Sequence, residues 1–378
     1  MRCLKFNLIK LILVFPLLSA TVMAQPPSID PHWQLVWSDE FNGSNVDLIK
    51  WYSSAPWGTC NAESAEAPFN DTCHIVTNGK ITLYTKPFDC ECFQWEDTGP
   101  VEKEQEYLSG NLYSQNAFKY GYFEIRSRFP QTTLSQNGSG LSPTFWMFPI
   151  YKIEDVQDFV LYSEIDFYEV DAFNNKYSCN VHYADTIFFS PESANTNHWV
   201  FRDELTYTND SIENNTIYDF YVNDGAFHVY SGEWNSQYIR FFYDNRCIRG
   251  TVNDNIFSAN KLLPMNIIIA NSANPKNVSY TINSNTILPY PYEIDYVRVY
   301  QLRCDNTTVV NEIPNFNTYN YAVKKSITLS GNTQIPDSTT TCLRATDFIE
   351  LRSGFEVPMG ASLYLATSPC DTCEILSY

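Results

Sequence analysis

Three carboxylates crowd one apolar run, Ser163-Glu164-Ile165-Asp166-Phe167-Tyr168-Glu169-Val170. On a regular strand successive side chains alternate between faces, so Glu164 and Asp166 share a face about 7 Å apart while Glu169 points to the other. One β-bulge restores the parity. An extra residue at Phe167 or Tyr168 turns all three acids to one surface. It also brings Glu164 and Glu169 near the separation of about 5 to 5.5 Å at which paired carboxyls act on a glycosidic bond by double displacement. Crowded carboxylates raise the pKa of one of their number, and a raised carboxyl is what a general acid near neutral pH needs. The same residues also read as two solvated acids on an exposed face, with the third ending the strand. Calcium is a further reading, since oxygen ligands suit it, although apolar strand formers flank the acids in place of a glycine-containing loop.

The elements that must hold these acids read as strands. Lys80 to Thr85, Gly121 to Arg128 and Arg240 to Tyr243 alternate apolar and polar residues, the period of half-buried strands. From Trp33 to about Gln301 such runs follow one another between Asn, Ser, Gly, Asp and Pro clusters, without sustained helical periodicity. Many short strands in one domain predict an all-β sandwich or barrel. After Cys304 the composition changes: Asp305 to Thr341 is rich in Asn, Thr and Ser, and Phe348 to Leu365 carries turn signals between strand-like segments. The expected organisation is a leader over 1–24, a large domain over 25–303 and a small β domain over 304–378. All candidate catalytic positions precede Cys304, so 25–303 is expected to fold and act alone.

The chain of 378 residues is 44% hydrophobic and 18% charged, which is globular and not disordered. Asp and Glu number 43 against 24 Lys and Arg, with no basic cluster outside the leader. Phosphate-backbone binding is thereby excluded as an expectation, and nucleic acid is not a partner. Arg2, Lys5 and Lys10, the apolar Leu11 to Leu18 and the small-residue site Val22-Met23-Ala24 read as a cleavable signal peptide. No run is long enough to span a membrane. All the cysteines but Cys3 follow the leader, and an oxidising compartment makes disulfides the default. Cys90-x-Cys92 and Cys370-x-x-Cys373 would need matched partner pairs to read as zinc sites, and none is evident.

The large domain resembles glycoside hydrolase family 16. Leu35-Val36-Trp37-Ser38-Asp39-Glu40-Phe41-Asn42-Gly43 is similar to its opening strand, and Ser109-Gly110-Asn111 through Lys119-Tyr120-Gly121-Tyr122-Phe123-Glu124-Ile125-Arg126 to its central segment. Phe145-Trp146-Met147-Phe148-Pro149 precedes the acidic motif. Phe227-His228-Val229-Tyr230 with Glu233-Trp234, and Ile294-Asp295-Tyr296-Val297-Arg298-Val299-Tyr300, complete the order. The acidic motif matches the family's bulged form, Glu-x-Asp-x-x-Glu, as in laminarinases, agarases and carrageenases.

The resemblance implies a jelly roll of two curved antiparallel sheets with a concave cleft for a polysaccharide. It places Glu164 as nucleophile, Glu169 as general acid/base and Asp166 between them as electrostatic modulator. Trp57, Trp146 and Tyr162 become candidate aromatic platforms for sugar rings. Glu124 and Arg126 match positions that bind substrate hydroxyls, and His182 matches a cleft histidine of laminarinases. His228 reads as structural. Asp295 matches an aspartate that in many relatives binds calcium with backbone oxygens near Glu40 and Gly79, which would make a stabilising site on the convex side, with no cofactor needed for catalysis.

Two departures bear on specificity. Leu141-Ser142-Pro143-Thr144 stands where many laminarinases carry Trp-Pro-Ala, and Ile269-Ala270-Asn271-Ser272-Ala273-Asn274-Pro275 stands where a glycine-rich stretch is expected. An acidic chain also lacks counter-charges for highly sulfated carrageenans. The segment from Ala345 to Val357, with Gly360-Ala361-Ser362-Leu363, resembles a small β domain that ends many secreted Bacteroidota proteins. The expectation is a secreted, extracellular or periplasmic, monomeric endo-acting β-glycanase that retains anomeric configuration, laminarinase-like on β-1,3(4)-glucan. An agarase- or porphyranase-like β-galactanase, a transglycosylase and a non-catalytic carbohydrate-binding protein are the alternatives.

Overall fold

The computed structural model describes residues 26–377 apart from 29, 56–57, 62–63, 97–98, 132–139, 151–162, 172–175, 190–196, 204–206, 209–223, 252–261, 274–281, 312–320 and 332. The leader lies outside the described residues. The named elements are strands, and they form the two packed sheets of a jelly-roll sandwich together with a small four-stranded sheet.

The nine-stranded sheet runs in the order Asn197–Asp203, Lys176–Phe189, Ser163–Asp171, Leu141–Phe148, Met265–Ala273, Asn111–Lys119 and Trp51–Tyr52, each strand antiparallel to the next. The facing 11-stranded sheet has His228–Trp234, Gly121–Arg128, Tyr290–Leu302 and Lys80–Glu96 at its centre. Alternation decides what each strand buries. Phe123 and Ile125 from the larger sheet meet Phe145, Met147, Ile165, Ile267 and Ile269 from the smaller one in a single apolar cluster. Residues one position away on each strand therefore face outward. At the hairpin joining His74–Thr77 to Lys80–Glu96, Thr77 pairs with Lys80 across Asn78 and Gly79, whose φ angles are 53° and 70°. Asn-Gly is the pair that tolerates two consecutive left-handed residues in so tight a turn.

The C-terminal segment builds its own parallel sheet from Thr308–Val310, Lys324–Leu329, Thr340–Leu351 and Ser362–Thr367, over a separate cluster that includes Ile327, Leu329, Ile335 and Leu343. It is nonetheless bound into the rest of the molecule. Its last strand, Glu374–Ser377, pairs antiparallel with Asn116 to Lys119 at the edge of the nine-stranded sheet. Cys304 is joined to Cys370, and Cys60 to Cys92. Cys73, Cys90, Cys179, Cys247, Cys342 and Cys373 are thiols. The Cys-x-Cys and Cys-x-x-Cys pairs thus each give one sulfur to a disulfide and keep no paired thiols for a metal.

Candidate active site

The register around the acids shows the bulge directly. Against Lys176–Phe189, Glu164 pairs with His182, Asp166 with Asn180 and Glu169 with Ser178, so three residues advance on the acid strand while two advance on its neighbour. Positions 182, 180 and 178 share one face of their strand, and the three acids therefore share one face of theirs. The other neighbour agrees: Trp146 pairs with Asp166 and Thr144 with Glu169, with the irregularity between Phe145 and Trp146. Phe167 is the residue left over. Two consecutive aromatics, Phe167 and Tyr168, consequently both point inward and are buried at 2% and 0% exposure. Tyr168 packs on Tyr230 with ring centroids 4.5 Å apart.

On the outward face Asp166 is buried, while Glu164 and Glu169 are half-buried. The Asn180 side-chain amide donates to Glu169 Oε2 at 3.2 Å. Trp146 is half-buried beside Asp166, on the strand next to the acids, with its indole 6.0 Å from the Phe148 ring. The row continues across the sheet through cross-strand partners from Trp146 to Ile268 and from Ile268 to Tyr113. These residues form a small apolar cluster with Ala55 and Ile150, separate from the core. Trp146 alone in this cluster is only half-buried, and an aromatic ring beside three acids suits a sugar, whose C–H face packs on aromatics while its hydroxyls need polar partners. His182 stands opposite Glu164 by register, and Trp57 and Tyr162 lie outside the described residues.

Glu66 belongs to this neighbourhood and carried no signal in the sequence, since an acid in Ser64-Ala65-Glu66-Ala67 looks like any loop residue. Its carboxylate accepts from the Ala55 N–H at 3.1 Å and from the Tyr113 hydroxyl. Burial pushes its pKa up to about 8 against the opposing effect of those two hydrogen bonds. A raised carboxyl keeps its proton in the folded state while the unfolded chain has lost it. The associated stability is full below the ordinary value of 4.5 and is lost as the pH climbs to about 8. Glu66→Gln removes the titration and keeps the shape, so its melting temperature is expected to gain on the wild type from about pH 5 to about pH 8. A difference that stays constant over that range in thermal melts would show that Glu66 is not the titrating group.

Glu124 and Arg126 require a correction. They lie on Gly121–Arg128 of the larger sheet and alternate with Phe123 and Ile125, which fill the core, so both point away from the sheet that carries the acids. Burial raises the Glu124 pKa against the effects of Tyr296 and Arg298. Arg126 pairs with Asp295 and lies 4.6 Å from the Phe227 ring centroid. Alternation predicted that Glu124 and Arg126 share a face, but the choice of sheet and face came from packing.

The side chains around the expected calcium position are already paired. Glu40 accepts from Arg298 Nε at 2.9 Å and Nη2 at 2.7 Å, and Asp295 holds Arg126. Two guanidinium groups already neutralise the two carboxylates, and Gly79 serves the hairpin turn. Of the expected donors, the Asp295 carboxylate is thus already paired with a guanidinium, which disfavours a divalent cation there, while the backbone oxygens near Glu40 and Gly79 are not engaged by these pairs.

A family model described as "Beta-porphyranase A-D, GH16 domain" matches residues 33–302. The chain belongs to this glycoside hydrolase family 16 group. Curated relatives of this GH16 chain include the glucan endo-1,3-beta-glucosidase A1 of Niallia circulans, 26% identical over 71% of this chain and 38% of that protein. Another is the clotting factor G alpha subunit of Tachypleus tridentatus, 29% identical over 72% of this chain and 35% of that one. The GH16 chain thus spans little more than a third of the length of these two relatives. Among solved structures, LamA from Zobellia galactanivorans in complex with laminaritriose and laminaritetraose superposes with a TM-score of 0.51 at 23% identity, covering 71% of this chain and 98% of that one. That likeness concerns the fold.

Proposed function

We propose that this GH16 domain is an endo-acting β-glycanase that hydrolyses a polysaccharide with retention of configuration. One observation carries the proposal: the register skip at Phe167 that brings Glu164, Asp166 and Glu169 to one face. Glu164 attacks the anomeric carbon while Glu169 gives its proton to the departing glycosidic oxygen, and a glycosyl ester forms on Glu164. Glu169, now ionised, takes a proton from water as the water displaces Glu164 from the same carbon. Two inversions give net retention. Asp166, buried between the two at 1% exposure, supplies the electrostatic coupling that keeps one neighbour protonated.

For substrate we favour β-1,3(4)-glucan, in line with the name of the Niallia circulans relative. A porphyran-type β-galactan is the second reading, favoured by the matching family model and by the Leu141 to Thr144 departure. The leader supports export from the cytoplasm, and a monomer is sufficient for a site built from one sheet. Laminarin, lichenan, agarose, porphyran and κ-carrageenan, each digested and assayed for new reducing ends, test the reading. Release from laminarin or lichenan is expected, with oligosaccharides of several lengths from the first minutes. Release from porphyran alone would select the second reading, and no release from any polymer by the folded protein would overturn both.

A further inference from the structure

Phe167, the extra residue of the bulge, is the side chain on which the placement of the acids turns. Its ring lies between Phe145, Phe123 and Phe241, with centroids 4.9, 5.5 and 6.3 Å away. Phe123 and Phe241 belong to the opposite sheet, where they are the two cross-strand partners of Gly232. A Cβ placed on Gly232 would sit 2.4 and 2.5 Å from two Phe167 ring carbons and 3.2 Å from the Arg240 carbonyl oxygen. Real side chains do not approach so closely. Gly232 has no left-handed backbone angle, so glycine is required there for room and not for conformation. The ring of Phe167, walled in by three other aromatics, has nowhere to retreat except along its own strand.

We propose that Gly232 is a positioning residue for the catalytic acids: the notch it leaves in the larger sheet receives Phe167 and so holds the bulge that turns Glu169 onto the face of Glu164. The proposal rests on the catalytic reading of those acids. A methyl group at 232 pushes on Phe167, which is bonded directly to Asp166 and lies two residues before Glu169. A displacement of about 1 Å in reacting groups costs about 100-fold in rate.

Four proteins test this: wild type, Gly232→Ala, Phe167→Leu and the double variant, each assayed below its melting temperature on the best polysaccharide, with Glu164→Gln alongside. In Gly232→Ala, kcat is expected to fall about 100-fold with KM within about threefold, because platform residues such as Trp146 lie on other strands. The limbs of its pH–rate profile are expected to move, since the spacing of the two carboxyls sets their coupled titration. Leucine at 167 removes the ring atoms that collide, so the double variant is expected to recover at least tenfold in kcat over Gly232→Ala. A folded Gly232→Ala with wild-type kcat and unshifted limbs, or losses that simply add in the double variant, would overturn the notch alone. Undiminished hydrolysis by Glu164→Gln would overturn the assignment of the acids and this inference with it.

Discussion

Glu164→Gln and Glu169→Gln are each expected to lower kcat by about three orders of magnitude or more on the best substrate. Both replacements keep side-chain shape at half-buried positions, so the melting temperature should stay close to that of the wild type. The two losses arise at different steps. Without the Glu164 carboxylate no ester forms; without a proton at Glu169 the leaving oxygen departs as an alkoxide, and the incoming water finds no base. Alanine at either position opens space for azide, and the product then reports the role. With alanine at 164, azide attacks the carbon directly while Glu169 protonates the leaving group, and a single inversion results. With alanine at 169, azide displaces the ester on Glu164 after a slow first step, giving net retention. An activated leaving group, which needs no proton, should restore ester formation in Glu169→Gln but not in Glu164→Gln. Near wild-type turnover in both variants would remove the assignment.

Arg344→Met is expected to cost about 3 to 5 kcal/mol of stability near neutral pH. Arg344 comes from the small parallel sheet and is fully buried. Its Nε donates to Asp30 Oδ2 at 2.9 Å, with Nη2 2.7 Å from the same oxygen as an ion-pair contact, and its Nη1 donates to Ser368 Oγ at 2.7 Å and to Glu233 Oε1 at 3.4 Å. His32 Nδ1 lies 2.6 Å from Asp30, and the Tyr238 hydroxyl donates to Glu233 at 2.9 Å. The cluster therefore ties the N-terminal segment, the His228–Trp234 strand of the larger sheet and the C-terminal sheet through one cation. Burial alone would raise the Asp30 pKa, but the charge of Arg344 and the contacts with His32 outweigh it and hold the carboxyl well below the usual range.

The sign of the pH effect follows. In the wild type, the Asp30 contribution is present above the unfolded carboxylate value near 4 and is lost only as the pH falls toward the depressed folded value. Methionine at 344 leaves Asp30 buried with its His32 contacts but without the guanidinium charge, so its pKa rises relative to the wild type and the stability gap widens as the pH rises from about 4. Thermal melts of wild type and variant at about pH 4, 5.5 and 7 measure this. The gap in melting temperature should be at least about 5 °C at pH 7 and narrow toward pH 4. A gap of under about 2 °C at pH 7 would show that the network contributes specificity of docking and little stability.

That network also bears on a chain ending at residue 303. The expectation that 25–303 acts alone came from the position of the acids in the sequence, all before Cys304. The structure adds two ties that position in sequence does not show, Arg344 to Asp30 and Glu233, and the strand Glu374–Ser377 on the edge of the acid sheet.

The sequence by itself determined whatever depends on periodicity within one strand. Alternation marked the strands and hence the all-β class, and the parity of Glu164, Asp166 and Glu169 required an inserted residue, which the register places at Phe167. Trp146 alternates with the core residues Phe145 and Met147, so its strand position puts it on the outward face. Only the tertiary structure decided which sheet each strand joins, which face looks inward and which distant group supplies a charge. Glu124 and Arg126 share a face as their spacing says, yet that face belongs to the sheet opposite the acids. Arg298 answers Glu40, Arg126 answers Asp295, and Arg344 answers Asp30, each across a separation that no local pattern encodes. Burial raises the Glu66 pKa although Ala55 and Tyr113 hydrogen-bond its carboxyl, and Gly232 matters because Phe167 arrives from the other sheet. Side-chain period is a property of the backbone and can be read residue by residue. Burial, counter-charge and steric room are properties of what the rest of the chain brings alongside.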